Sequence, residues 1–172
     1  WVESPNGTVD GNNANDTISA NYISCQNPMA GVYSVGTSAS DFANIEQAFM
    51  SLEYCGVDSA VVLEIATGVY DGAYSVPVVP GASASNTIEI TSATANPADV
   101  ILQNEPDNSS ENYTLQLTGS QHIIVSDMTI KSLGTSYGVA LRLADTASYN
   151  VIENNIITGI DVTDSDEKYA SV

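Results

Sequence analysis

Positive charge is the scarcest property of this sequence. Its 172 residues include three Lys and Arg against 21 Asp and Glu, so the formal net charge is −18. Such a chain repels DNA, RNA, anionic lipid and polyanionic sugars, because all of them are negatively charged. We therefore expect no nucleic-acid partner. Any partner of the chain is expected to be neutral, cationic or a metal ion. A well-solvated surface explains the same charge without any partner.

Long apolar segments are absent too. No run approaches the ~20 residues that a bilayer-spanning helix needs, and no charged-then-apolar signal segment opens the chain. We therefore expect no membrane insertion. With 43% hydrophobic residues the chain can still bury one ordinary core. Because the sequence opens on Trp1 rather than Met, we expect it to be a fragment of a longer protein.

Side chains that commonly carry catalysis or bind metals are scarce. His122 is the sole histidine, with no second His, no Cys and no tight carboxylate cluster beside it, so we interpret it as a surface residue at a strand end. The acidic turn at residues 10–16 could wrap a calcium ion, but its spacing does not provide the glycine and the distal glutamate at the positions of an EF-hand loop, and a solvated turn is favoured. Its candidate ligands are Asp10, Asn12, Asn13, Asn15 and Asp16. We predict no catalytic residue, no metal site and no cofactor.

Only two cysteines are present, Cys25 and Cys55. They could be free thiols or a single disulfide, and the sequence alone leaves both open. A disulfide would span a sequence separation of 30 (55 − 25) and would stabilise the fold by roughly 3–4 kcal/mol in the chain-entropy model. Neither cysteine has a CxxC partner or a basic neighbour, which disfavours zinc binding and thiolate catalysis.

One short sequence segment is repeated. HIIVSDMTI aligns with YNVIENNII, which places Val125 over Ile152, Asp127 over Asn154 and Ile130 over Ile157, an offset of 27 (152 − 125). Each copy alternates apolar and other residues, turns a polar corner and alternates again, which predicts strand, turn and strand. A repeat of this length is typical of a solenoid.

The same alternation occurs earlier in the chain. Val61, Leu63 and Ile65 fall on one face of a strand, and Ile88 and Ile90 do so in the next. The offset from Ile65 to Ile90 is 25 (90 − 65), and the polar insert NEPDNSSEN lengthens the following step. Short strands recur between Gly, Asn, Asp and Ser corners, and long helices do not.

This spacing predicts an all-β fold, a right-handed parallel β-helix of about four coils. Stacked coils would place Ile123, Val125 and Ile130 on the inner wall, and the corner residues Asp127 and Asn154 would form hydrogen bonds along the stack. An antiparallel β-sandwich stays open as an alternative, since regular strand spacing alone does not exclude it.

One segment departs from the strand pattern. In residues 41–54, Phe42, Ile45, Phe49 and Leu52 recur at helical spacing, and Ser40 or Asp41 could serve as the N-cap. We predict an amphipathic helix whose apolar stripe faces the core. Because the open end of a β-helix exposes unpaired backbone, we expect this helix to cap the first coil.

Several of these stretches together resemble a known family. They are AGVYSVGTSASDFANIEQAFMSL, VLEIATGVYDGAYSVPVVPGASASNTIEITS, NYTLQLTGSQHIIVSDMTI and YNVIENNII, which cover about Ala30 to Thr158. The combination is similar to the right-handed β-helix module of large secreted surface proteins of the Bacteroidota. The segment 1–24 resembles the last hairpin of an Ig-like, CARDB-type sandwich whose earlier strands are missing. The expected domains are therefore residues 1–24, an incomplete Ig-like end, and residues 25–172, the capping helix and first coils.

The resemblance implies export by the type IX secretion system to the cell surface, and an oxidising setting favours the Cys25–Cys55 disulfide. It also implies O-glycosylation at Asp-Ser/Thr-apolar motifs, which occur at Thr17, Ser59 and Thr146. N-x-S/T sequons begin at Asn6, Asn15, Asn108 and Asn112 and matter only in a cell that N-glycosylates.

We expect a non-catalytic segment of a secreted surface protein, an adhesin or scaffold whose partners are an extracellular glycan, a protein surface or other chains of a surface assembly. The alternative is a fragment of a carbohydrate-active β-helix enzyme, a polysaccharide lyase or glycoside hydrolase, whose catalytic coils lie elsewhere. The three basic residues, Lys131, Arg142 and Lys168, sit in none of the signatures of those enzymes. Further coils after Ile160, or another chain, are expected to cover the last edge.

Overall fold

The computed structural model describes residues 25–135 and 137–159. Within these ranges the chain forms one helix, α1 (Ile45–Cys55), and short strands. The strands are β1 (Met29–Val35), β2 (Val57–Ile65), β3 (Gly68–Asp71), β4 (Tyr74–Val76), β5 (Ile88–Ser92), β6 (Val100–Asn104), β7 (Leu115–Thr118), β8 (Ile123–Ser126), β9 (Thr129–Ser132), β10 (Leu141–Ala144), β11 (Val151–Glu153) and β12 (Ile156–Thr158). The predicted Ig-like hairpin, the 10–16 turn and the segment after Ile160 lie outside the described residues.

The strands form three parallel sheets. The first has the order β1-β2-β5-β8-β11, the second β3-β6-β9-β12 and the third β4-β7-β10. Because each pass of the chain adds one strand to a sheet beside the strand of the previous pass, the sheets together form a β-solenoid of about five turns. The parallel β-helix prediction is confirmed, with about five turns instead of about four, since β1 opens a turn ahead of β2. The antiparallel sandwich is excluded for the described residues.

The register confirms the repeat and corrects one step. Val125 pairs with Ile152, and Ile130 pairs with Ile157, at the predicted offset of 27. In the earlier turn Ile90 pairs with Leu63, which is the same offset (90 − 63 = 27), and not with Ile65. A shift of two positions leaves every inward side chain inward, so alternation alone cannot distinguish the two registers.

The step between β5 and β8 is longer, as predicted, but the polar insert is not the main reason. Ile90 pairs with Val125, an offset of 35 (125 − 90). Most of the excess lies in the connection between β5 and β6, which has seven residues (93–99) against two (127–128) between β8 and β9. The connection between β6 and β7, which holds the insert, has ten residues (105–114) against eight (133–140) between β9 and β10. In the insert, Asn108 Oδ1 accepts hydrogen bonds from the backbone of Ser110 at 2.9 Å and of Glu111 at 3.1 Å. The insert therefore forms a compact surface turn and leaves the register of the strands intact.

The core is a continuous stack of aliphatic side chains from successive turns. Its largest fully buried members in the strands include Leu63, Ile65, Ile88, Ile90, Leu102, Leu115, Leu117, Ile123 and Ile130. Each of these contributes roughly 1.5–3 kcal/mol relative to an exposed position. Ile152 and Ile157, in the last described turn, are partly buried against this core. The three positions predicted for the inner wall, Ile123, Val125 and Ile130, are all fully buried in the core.

Corner residues adopt a repeated conformation, but their predicted bonding role was wrong. Asp127 and Asn154 both have φ of 54°, the left-handed conformation that turns the chain between strands. The bonds along the stack come instead from Asn155, whose Oδ1 accepts from Met128 N at 3.1 Å and whose Nδ2 donates to Val125 O at 2.8 Å. Asp127 and Asn154 therefore form the corner through their backbone conformation, whereas the side chain of Asn155 forms the hydrogen bonds to the neighbouring turn.

Helix α1 overlaps the predicted range of 41–54 but begins four residues later, at Ile45, and ends one residue later, at Cys55. Its N-cap is Asn44, not Ser40 or Asp41, and Asn44 Oδ1 accepts from Gln47 N at 2.9 Å. Asp41 instead accepts from Ser34 N at 2.8 Å and from Ser34 Oγ at 2.7 Å, which lowers the pKa of its carboxyl group. No helix in the described ranges is long and apolar enough to cross a membrane.

The buried face of α1 and the disulfide agree with the sequence analysis. Ile45, Phe49 and Leu52 are buried, and Phe42 packs partly buried ahead of the helix. Cys25 and Cys55 form a disulfide with their Cα atoms 5.3 Å apart. The bond ties the start of the described chain to the end of α1.

The burial of Phe49 gives a test of the packing of α1. Phe49 is 6% exposed, whereas the adjacent Met50 is 41% exposed. We expect Phe49→Ala to lower the free energy of unfolding by about 3–5 kcal/mol, because it removes a ring from the core and leaves a cavity. Met50→Ala, the matched control, should change it by about 0.5 kcal/mol or less. Urea denaturation followed by circular dichroism measures both, and equal losses would contradict the packing described.

The corner bonds give a second test. Asn155→Ala removes the partners of a buried N–H and a buried carbonyl, so we expect a loss of about 1–3 kcal/mol in the free energy of unfolding. Asn154→Gly, at the preceding left-handed position, should stay within about 1 kcal/mol of the parent, because glycine adopts this conformation readily. If the Asn154 variant were the more destabilised of the two in urea denaturation, the assignment of the bonding role would be wrong.

Candidate functional site

A groove lies between α1 and β4 and encloses about 170 Å³. Its helical side consists of Glu46, Phe49, Met50 and Glu53, which occupy positions i, i+3, i+4 and i+7 and therefore share one face. Its other side is formed by β4 and its flanks, through Ala73, Tyr74, Ser75 and Pro77. We call this feature the helix groove.

The middle of the helix groove is apolar. Phe49 and Tyr74 are 6% and 5% exposed, so both rings are fixed by packing and present only part of their surface. Met50 is more open and covers the helical wall with a flexible thioether side chain. The groove can therefore accept the apolar part of a ligand along its length.

The two ends of the helix groove carry carboxylates. Glu46 lies in the first turn of α1, where a negative charge interacts favourably with the helix dipole. Glu53 lies near the other end of the helix, where the dipole disfavours a negative charge. Among the described residues, no basic side chain lines the groove. Helix stability accounts for the first glutamate and not for the second.

Tyr74 is the titratable group most affected by this environment. Burial of its phenol, with smaller contributions from the negative charges of Glu46 and Asp71 and from Tyr70, raises its pKa to about 12. Its hydroxyl donates to the backbone carbonyl of Asp71 at 3.3 Å. Tyr74 is therefore neutral near neutral pH and serves as a wall of the groove.

Outward side chains form rows along the solenoid. In the second sheet Asp71, Gln103 and Lys131 are in register, and Gln103 Nε2 donates to Asp71 Oδ1 at 2.6 Å. In the first sheet Ser126, which is buried, donates from its Oγ to Glu89 Oε1 at 3.0 Å and so joins two turns without presenting its hydroxyl to solvent. These rows join neighbouring turns and present polar groups at regular spacing.

His122 lies directly before β8, as expected for a strand-end residue, and is partly exposed. Its ring stacks on that of Tyr149 in the next turn, with centroids 5.2 Å apart and planes 7° from parallel. The two positions differ by the repeat offset (149 − 122 = 27), so the stack is one more product of the repeat. Within the described residues no group of three His, Cys, Asp or Glu side chains could hold a metal ion.

Two of the three predicted O-glycosylation positions lie among the described residues. Ser59 and Thr146 are both exposed, and Thr146 lies in a left-handed corner with φ of 66°. Thr17 lies outside the described residues. Of the sequons, Asn112 Oδ1 accepts from Val139 N at 3.4 Å, which places its amide between two turns.

The helix groove was not predicted from the sequence. The apolar stripe of helix α1 predicts a lid, and the spacing of Glu46, Phe49, Met50 and Glu53 predicts only that these four residues share one helix face. The opposite wall comes from β4, which begins at Tyr74, well after the helix ends at Cys55. Only the fold brings the two walls together.

Comparison with protein-family models, with curated proteins and with solved structures finds no match for this chain.

The raised pKa of Tyr74 predicts a change in stability at alkaline pH. Its folded value of about 12 exceeds the ordinary 10.0, so between these pH values the unfolded state loses the proton first and the free energy of unfolding falls as pH rises. Below pH 10 the contribution is fully present. We expect Tyr74→Phe to reduce this slope and to remove the last-titrating phenol from the absorbance titration of tyrosinate. A variant that kept that phenol would show that it belongs to another tyrosine.

Proposed function

We propose that this chain is a non-catalytic segment of a secreted cell-surface protein, with a role in adhesion or as an extracellular scaffold. The observation that carries the proposal is the in-register stacking of five parallel strands in the first sheet. Each turn contacts its neighbours through backbone bonds and a shared core, so the segment is stiff along one axis. Stiffness in one direction is the property that a stalk or scaffold needs.

The disulfide supports a location outside the reducing cytosol. Disulfides persist in oxidising compartments and are rare where thiols are kept reduced. Cys25 and Cys55 are joined, and the described residues contain no free cysteine. The net charge of −18 suits a surface that must stay solvated and must not adhere to anionic polymers.

Helix α1 is proposed as the cap of the first turn in a right-handed β-helix. Ile45, Phe49 and Leu52 point into the core, and α1 contacts β1, β2 and β4. A helix in this place would shield apolar side chains from water at the end of the stack. The proposal also takes residues 1–24 as the end of an Ig-like domain that precedes the cap.

The resemblance to Bacteroidota surface proteins supplies the finer proposals. They are export by the type IX system and O-glycosylation at Thr17, Ser59 and Thr146. The exposure of Ser59 and Thr146 makes both hydroxyls accessible to a transferase. The partner class is an extracellular glycan or a protein surface, contacted through the regular rows of outward side chains.

The proposal is tested on the organism that encodes the chain. We expect an antibody against residues 25–159 to label intact cells and expect brief protease treatment of those cells to remove the signal. Labelling that requires lysed cells would contradict a surface location. In the same cells, a Ser59→Ala, Thr146→Ala variant should be lighter by the mass of its glycans.

A second measurement separates a scaffold from an enzyme. The purified chain is incubated with a panel of neutral and acidic polysaccharides, and the release of reducing ends and of unsaturated products is followed. We expect no turnover, and we expect weak retention on the neutral members in affinity electrophoresis. Turnover of a polysaccharide by the purified chain alone would contradict the scaffold proposal and identify the chain as a lyase or hydrolase.

A further inference from the structure

The helix groove combines three features that no part of the stacking explains. It has an apolar middle, a carboxylate at each end and, among the residues that the structure describes, no basic side chain in its lining. Glu46 and Glu53 are both exposed, so their charges are available to a ligand. Two turns of helix separate them, a distance of about 10 Å along the axis.

In the part of the chain that the structure describes, no basic side chain is placed to match these carboxylates. Of the chain's three basic residues, Lys131 and Arg142 belong to β9 and β10, neither of which lines the groove. The third, Lys168, is a single charge in the segment after Ile160. Residues 1–24 contain no Lys or Arg at all, so covering the groove with that segment would bring no cation to it.

The size of the groove indicates what kind of ligand fits. A volume of about 170 Å³ is below the ~300–1,000 Å³ of sites that enclose a small molecule. A groove of this kind can hold side chains that lie along it while the rest of the ligand stays outside. The methylene stem of a basic side chain packs on apolar surface while its charged end reaches a carboxylate.

We propose that the helix groove binds an extended, basic segment of a partner polypeptide, in which two arginines separated by one residue contact Glu46 and Glu53. In an extended chain alternate side chains point to the same side, and their Cα atoms are about 6.8 Å apart. The two glutamates are about 10 Å apart along the helix axis, and two long arginine side chains can splay to cover this difference. Arginine suits the site better than lysine, because its planar group forms paired hydrogen bonds with a carboxylate.

This inference goes beyond the proposed function and does not depend on secretion or on a scaffold role. It assigns the chain a specific acceptor site for a cationic protein, which the regular faces of the solenoid do not provide. The net charge of −18 would speed the encounter with such a partner and weaken binding as salt rises.

The three methionines of the chain provide the measurement. Met50 lines the helix groove, whereas Met29 and Met128 are 5% and 0% exposed in the core. In protein labelled with ¹³C at the methionine methyl groups, acetyl-Arg-Ser-Arg-amide is titrated while the three methyl signals are followed. We expect a saturable shift of the Met50 signal and none of the two core signals. The same peptide with citrulline in place of arginine has a similar shape but no positive charge, and it should shift none of the three methyl signals.

Matched variants separate the site from the general charge of the protein. Glu46→Gln with Glu53→Gln should weaken binding of the arginine peptide at least about tenfold, a loss of about 1.4 kcal/mol. Glu64→Gln with Glu153→Gln makes the same change in net charge on the outer face of the first sheet and should leave binding unchanged. Unchanged Met29 and Met128 signals confirm that each variant is folded.

Three results would overturn the inference. The first is an equal Met50 shift with the citrulline peptide, and the second is an equal loss in both double variants, which would indicate attraction to the overall charge alone. The third is a saturable shift with 1,6-diaminohexane and none with the arginine peptide, which would identify the groove as a site for a small diamine.

Discussion

Hydrogen bonding between successive turns in strict register is the constraint on which this structure depends. Every strand of the solenoid is parallel to its neighbours, so each inward residue must lie on an inward residue of the turn before. Insertions are therefore confined to the corners. The β5 to β8 step, with an offset of 35, and the β8 to β11 step, with an offset of 27, give the same register at their strands because most of the additional chain lies in the connections between strands.

The same constraint copies backbone conformation from turn to turn. His122 and Tyr149 both have positive φ, as do Asp127 and Asn154, and both pairs have the repeat offset (149 − 122 = 154 − 127 = 27). A left-handed conformation costs a residue other than glycine roughly 1–2 kcal/mol. Corner hydrogen bonds offset this cost, since Asn150 and Asn155 bond the buried backbone of the preceding turn at both sides of the strand. These two asparagines thus hold one strand of the last described turn at each end.

Sequence patterns predicted the parts of the fold that depend on periodicity. The repeat, the inward residues and the amphipathic helix follow from alternation and helical spacing, and the structure agrees with them. The register of Ile90 did not follow, because a slip of two positions preserves the inward face. The N-cap was misplaced because Asp41 is a good capping residue that the fold uses to bond Ser34. The helix groove could not be predicted, because its second wall is supplied by β4, whose position relative to α1 is a property of the folded chain.

A repeated structure is a poor source of specific sites, because each turn presents nearly the same outer face as the next. In the described residues the repeat is interrupted once by a helix, where α1 separates β1 from β2. The helix places four side chains against β4 in an arrangement that no other described turn reproduces. Two of them are carboxylates, and one of these, Glu53, lies where the helix dipole disfavours it. This interruption of the repeat therefore differs from the sheets in both shape and charge, whereas the rows of outward side chains recur from turn to turn.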